Sequence, residues 1–223
     1  MIVEKYGIQL KKITIDDIEL IRTKRNLENI SSKMIYKNYI SPEQQLQWFE
    51  RVNNFNNFYY LIIYNDKPIG LINEKDMDWN NLTSEAGLFI WEETYLKTIV
   101  PALATLTLIE LGFEILSWNK TSIRVLADNK EGVSYNKQIG FKTVSQDKGV
   151  LSMELDRKSF YEKTRKIIVS LSKSYQEKTL RVIAENKDVE FINKIKGLIN
   201  KFNINVSLKE EKNYTYFEYE IIF

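Results

Sequence analysis

Histidine and cysteine are both absent from this chain. That removes Ser-His and Cys-His relays, disulfides, thiolate and HExxH metal sites and any imidazole base, so no metal is expected. Acid–base chemistry is left to carboxylates, tyrosines, lysines, bound water or the substrate itself. Reactions that need only positioning and an activated cosubstrate pass this filter best. The residues that stand out are few. Glu85 is the acid placed within the strand-like TSEAGLFIW. Arg25-Asn26 ends a helix-like segment, and Gln45 and Trp48-Phe49 lie in SPEQQLQWFERV. Asp128-Asn129 is followed by Gly140-Phe141. The basic run Arg157, Lys158, Lys163, Arg165, Lys166, Lys173 reads as the wet face of an amphipathic helix before it reads as a phosphate site.

Periodicity and caps define the elements that must position these residues. YGIQLKKIT (6–14) alternates as a strand. Thr14 and Asp17 form a capping box for a helix over IDDIELIRTKRN. Ser41-Pro42-Glu43 opens the next helix, with proline at its first position. FYYLIIYND and PIGLINEKDMDW form a hairpin, and TSEAGLFIW is a third strand. Pro101 opens a helix that is apolar nearly all round and therefore buried. TSIRVLADN is a strand, KEGVSYNKQIGF a short helix, and KTVSQD with VLSMELD a last hairpin. Residues 1–156 thus read as an α+β domain with a mixed, mostly antiparallel sheet flanked by helices.

Residues 157–223 read as a helix followed by a small β-α-β-β subdomain, with Asn186 capping its helix. So short a unit is marginal alone and is expected to pack on the first domain, or on a second subunit as a homodimer.

The chain has 223 residues, 43% of them hydrophobic and 28% charged, enough for a packed core. Its 32 basic and 30 acidic residues give a net charge of +2, too even for bulk attraction to nucleic acid or an anionic membrane. There is neither an apolar run long enough for a membrane span nor an N-terminal signal pattern, so a cytoplasmic protein is expected.

Several pieces, in order, resemble the GNAT superfamily of acyltransferases. They are Arg25-Asn26, then Ser41-Pro42-Glu43-x-Gln45-x-x-Trp48-Phe49, then Lys67-Pro68-Ile69-Gly70. Glu85-Ala86-Gly87-Leu88-Phe89-Ile90 follows, and Phe113 lies sixteen residues before Asn129, with Gly140-Phe141 beyond. The resemblance spans about residues 6–155. It is similar above all to the branch acting on ribosomal proteins and nucleotide-linked amino sugars.

The resemblance implies acetyl-CoA as cosubstrate. Its pantetheine arm would pair with the open edge of the fourth family strand, at Leu88, Phe89 and Ile90. Its pyrophosphate would sit where the third family helix begins, near Lys97, Ile99 and Val100, with Asn129 across the cleft. The resemblance places Arg25, Asn26, Gln45 and Trp48 at the acceptor, although Arg25 also suits a helix C-terminus, Trp48 a core and Asn129 a helix cap. Glu85 would accept the amine proton.

The sequence departs from the family at three places. The two glycines of the pyrophosphate loop fall on Ile99 and Pro101, which crowd the phosphates and remove an N–H. The tyrosine that reprotonates the thiolate falls on Asn136, while Tyr135 lies one residue early and is expected to point elsewhere. A family histidine is Gln45. The function implied is N-acetyl transfer from acetyl-CoA to a small-molecule primary amine, foremost that of a nucleotide-linked amino sugar. The alternatives are a noncatalytic binding or assembly module and an acetyltransferase of protein N-termini or ribosomal proteins.

Overall fold

Side chains fix the helix starts on one face of the molecule. The Thr14 N–H donates to Asp17 Oδ2 at 2.8 Å, ahead of a 3₁₀ turn (Ile15–Asp17) that leads into α1 (Ile18–Arg25). The Ser41 Oγ accepts from the Gln44 N–H, and Gln44 Oε1 accepts from the Ser41 N–H, opening α3 (Pro42–Val52). A short α2 (Glu28–Ser31) lies between them.

The structure is a computed structural model, described over residues 1–220. Its strands are β1 (Ile2–Lys5), β2 (Ile8–Lys12), β3 (Phe58–Tyr64), β4 (Lys67–Asp78), β5 (Thr83–Ile90) and β6 (Lys120–Leu126). The later strands are β7 (Lys142–Asp147), β8 (Val150–Asp156), β9 (Thr179–Glu185), β10 (Val206–Glu210) and β11 (Tyr214–Glu220). Beyond α3 come α4 (Glu93–Leu96), α5 (Val100–Glu110), α6 (Lys130–Ile139), α7 (Arg157–Ser174) and α8 (Val189–Phe202). A π-helical turn, Leu111–Ile115, prolongs α5.

The eleven strands of the described residues lie in one sheet, in the order β10-β11-β9-β1-β2-β3-β4-β5-β6-β8-β7. Of its pairings, β5 with β6 is parallel and the others are antiparallel. The hairpin β3–β4 brings Gly70 so close to β5 that a Cβ there would lie 2.6 Å from the Phe89 carbonyl oxygen. Glycine is therefore dictated by backbone approach.

Alternation along the strands makes two cores. Leu61, Leu71 and Trp91 face α1 and α3, with Ile21 and Phe49 packed on them. Tyr60, Ile62 and Ile72 face the opposite side, onto α5 and the later helices. α5 is buried from Leu103 to Glu110, as its apolar sequence requires.

Two expectations change. The first strand does not run unbroken from Tyr6. Tyr6 and Gly7 (φ 54 and 70) form a turn, and Ile2–Lys5 doubles back as β1. β1 in turn pairs with β9, so the tail strands continue the main sheet. The cap of α8 is Asp188 instead of Asn186. The Asn186 amide donates to the Glu211 and Lys212 carbonyls, tying the β10–β11 turn, and accepts from Thr215 Oγ1.

Candidate functional site

β5 and β6 are paired at Thr83–Glu85 with Lys120–Ser122 and then part. From Ala86 onward β5 pairs with β4, while β6 continues along β8 to Leu126. The Trp91 N–H to Ile69 carbonyl bond, 3.0 Å, sets the phase of the β4–β5 ladder. Bonded pairs alternate in an antiparallel ladder, so Ala86, Leu88 and Ile90 turn their peptide groups toward the open side. The result is an unpaired strand edge inside a cleft of about 1270 Å³. Leu108, Ile109, Ile123 and Phe141 line one wall, and Leu71, Tyr59 and Trp48 the other.

The helical segment before the wedge is built differently from a phosphate cradle. Thr98 Oγ1 accepts the Val100 N–H at 3.2 Å, Pro101 has no N–H, and Leu103 already donates to Ile99 O. Among the described residues, the first-turn amides of α5 leave Ala102 alone to face an anion. Leu88, Phe89, Ile90, Lys97 and Asn129 line the cleft as expected positions, whereas Ile99 and Val100 do not: Ile99 turns outward and Val100 inward. Asn129 also caps α6, its Oδ1 accepting from the Gly132 N–H. The arm of a pantetheine thioester therefore fits this cleft, and a pyrophosphate finds little backbone to hold it.

Tyr135 differs from its expectation. It lines the cleft, and its hydroxyl donates to Thr105 Oγ1 (2.6 Å) beside the Pro101 carbonyl (3.1 Å). Burial pushes its pKa up to about 12, against the Thr105 hydrogen bond, so it stays protonated. Asn136 also lines the cleft, but its amide donates to Gly132 O within α6.

On the other wall, Arg25 donates to the Tyr36 carbonyl, while its buried Nη1 has no hydrogen-bond partner. Burial lowers its pKa. Gln45 is 3% exposed, lines the cleft, and its Nε2 also lacks a partner. Trp48 packs edge-on against Tyr59 at 5.0 Å and lines the same wall. Asn26 does not: its amide donates to and accepts from the Ile40 backbone, both at 2.9 Å, clamping the 32–40 loop to α1.

Glu85 is also displaced from its expected role. It is absent from the cleft lining, and its carboxylate lies 3.0 Å from Lys75 Nζ and from Arg124 Nε. Those two cations line the cleft, as do Lys33 and Arg51. None of the four stood out in the sequence. Lys75 faces Glu85 directly across the β4–β5 ladder, a relation visible only once the register is known.

The comparisons with known proteins agree with this geometry. Residues 8–142, more than half the chain, match the acetyltransferase (GNAT) domain family. No curated protein matches the chain in sequence. Among solved structures, the apo form of FdhC, a nucleotide-linked sugar GNAT, superposes with a TM-score of 0.63 at 19% identity, covering 75% of this chain and 96% of its own. Spermidine N-acetyltransferase of Vibrio cholerae, with CoA and spermine, gives 0.61 at 17%, covering 70% and 99%. The Campylobacter jejuni N-acetyltransferase PseH, with acetyl coenzyme A, gives 0.52 at 21%, covering 67% and 99%. At these identities the likeness is one of fold. The family match, the parted strands and the free β5 edge together place the chain in the GNAT family, as an N-acetyltransferase with acetyl-CoA as cosubstrate.

Proposed function

We propose that the acceptor is an anionic primary amine, foremost a nucleotide-linked amino sugar. One observation carries this reading: the acceptor wall is lined by cations, and two of its buried donors have no partner. Arg25, Lys33, Arg51, Lys75 and Arg124 line it, and Arg25 Nη1 and Gln45 Nε2 are buried there without partners. Buried donors left unpaired carry a desolvation cost that an oxygen-rich ligand removes. Phosphates suit the guanidinium groups, and the Trp48–Tyr59 pair offers a flat face for a ring. A polyamine or a basic peptide terminus would meet like charge here, which disfavours the protein-acetylating alternative.

Acetyl-CoA supplies the acyl group as an activated thioester. The residues of this chain hold the acceptor so that its amine attacks the acyl carbon directly. The C–N bond forms as the C–S bond breaks. With Glu85 held by two cations, the ammonium proton passes to water in the cleft. The departing thiolate takes a proton from Tyr135, which stays protonated between turnovers, and the proton the amine released to water restores the Tyr135 hydroxyl.

The experiment is an acceptor panel with acetyl-CoA, reading release of free thiol. A nucleotide-linked amino sugar is expected to saturate the enzyme. Spermidine and a peptide N-terminus are expected to give background rates. Turnover of spermidine or the peptide in preference to the sugar would overturn the reading.

A further inference from the structure

The two ends of the cleft carry opposite electrostatics. The acceptor wall is lined by five cations. Toward α4, α5 and α6, where the nucleotide half of acetyl-CoA would lie, Lys97 shares the lining with Glu93 and Glu131. The lysines of α6, Lys130 and Lys137, face a separate groove with Lys163 of α7. The helix that ought to receive the pyrophosphate has its first N–H capped by Thr98 and its second replaced by Pro101. The neighbouring Ile99 is 43% exposed and turned away from the cleft lining, so it adds nothing to hold the phosphates. Thus the charged half of the donor meets few donors and two carboxylates. The arm half keeps everything it needs: outward peptide groups at Leu88 and Ile90, and an apolar trench.

We infer that donor recognition stops at the pantetheine arm, so acyl thioesters of pantetheine that lack the nucleotide serve as donors alongside acetyl-CoA. This rests on the assignment of the β5 edge as the donor slot. The chemistry is unchanged: the same C–S bond breaks and the same C–N bond forms, with the thiol of pantetheine leaving in place of that of coenzyme A. What changes is the part of the donor that contributes affinity. In a site that gripped the pyrophosphate, deleting the nucleotide would cost several charge-assisted hydrogen bonds. Here the deletion removes a contact with one helix amide and one lysine, offset by relief from two carboxylates.

Calorimetry on the whole chain tests this by binding, apart from turnover. The ligands are acetyl-CoA, acetyl-pantetheine and adenosine 3′,5′-bisphosphate. The expected result is that acetyl-pantetheine binds within about tenfold of acetyl-CoA. Adenosine 3′,5′-bisphosphate should not displace either thioester. A second arm uses Pro101→Ala, which returns an N–H to the first turn of α5 without disturbing the helix. It should tighten acetyl-CoA severalfold and leave acetyl-pantetheine unchanged. A loss well beyond tenfold on removing the nucleotide, or displacement of acetyl-CoA by the bisphosphate, would overturn the inference. Binding of neither thioester would overturn the donor slot itself, a distinct outcome.

Discussion

Two regions of this molecule put polar groups under apolar cover, and they handle them in opposite ways. At the seam where the tail joins the sheet, Lys5 Nζ lies 2.8 Å from Glu110 Oε2, with both side chains fully buried. The Tyr6 hydroxyl donates to the other Glu110 oxygen at 3.0 Å, and the Tyr6 N–H donates to Glu177 Oε2 at 2.7 Å. A turn further on, the Tyr161 hydroxyl and Arg157 meet on Glu114. Burial pushes Lys5 down and Glu110 up, and their contact opposes both shifts. The Lys5–Glu110 contact is held by charge, whereas in the cleft Arg25 Nη1 and Gln45 Nε2 are buried with neither a hydrogen-bond partner nor an ion pair among the described residues. A polar group closed upon its neighbours is architecture. A polar group buried and left open beside a cavity is waiting for a ligand.

The seam side of that contrast breaks most severely. Lys5→Met leaves the Glu110 carboxylate buried without its cation. It is expected to lower unfolding free energy by about 3–5 kcal/mol, read from urea midpoints. The double variant Lys5→Met with Glu110→Gln keeps an acceptor for Tyr6 and should recover most of the loss. Equal instability in the double variant would mean that packing, and not charge, holds the seam.

A second closed group sits beneath the wedge. Glu74 is buried, accepting from Trp118 Nε1 at 2.7 Å, with the Ser84 hydroxyl at 3.4 Å. Burial raises its pKa to about 8 from an ordinary 4.5. The raised folded value means that this group's stability contribution is full below the unfolded pKa and is lost as pH rises through the folded one. The decline between those two values is expected at about 1.4 kcal/mol per pH unit. Glu74→Gln should flatten it in urea titrations taken across that range. An unchanged slope would show that Glu74 is ionised in place.

The open side predicts the reverse pairing of stability and function. Gln45→Leu removes an unpartnered buried amide, so folding stability should hold or rise. The acceptor KM should climb by about tenfold, with kcat nearly constant, because one neutral hydrogen bond to the acceptor is lost. A variant that is destabilised with its KM intact would turn Gln45 into a core residue and remove it from the site.

Much of this was legible in the sequence because local chemistry carried it. Thr14, Ser41 and Pro101 announce their helices by capping and fixed φ, and the aromatic and β-branched run of residues 58–64 announces a strand. β1 was not legible. Its four residues are too short for a period, and one of its two partners, β9, lies far along the chain. Tyr135 fails for a similar reason. Counting residues in a helix gives a direction only when the helix's rotation is known, and α6 is turned so that Tyr135 and Asn136 both reach the cleft. The cations of the acceptor wall come from β4, β6, α1 and α3 and from the 32–40 loop, so no linear motif contains them.

The smallest expected effect concerns Glu85, which sequence reasoning made the base. Its carboxylate sits 3.0 Å from both Lys75 and Arg124. It is held by these two cations and does not line the cleft. Its side chain is 20% exposed, so water screens part of the attraction, and the ion pairs add little to folding. Under the proposed function, it orients Lys75 and Arg124 toward the acceptor. Glu85→Gln keeps the shape and removes the charge, leaving both cations freer to meet an anionic ligand. Turnover should change by less than about threefold, and acceptor KM should move by a similar small factor, because each ion pair is partly solvated. The kcat against pH profile should keep its shape. A fall in kcat of tenfold or more, with the lower limb of that profile lost, would restore Glu85 as the base and move the proton's path from water to β5.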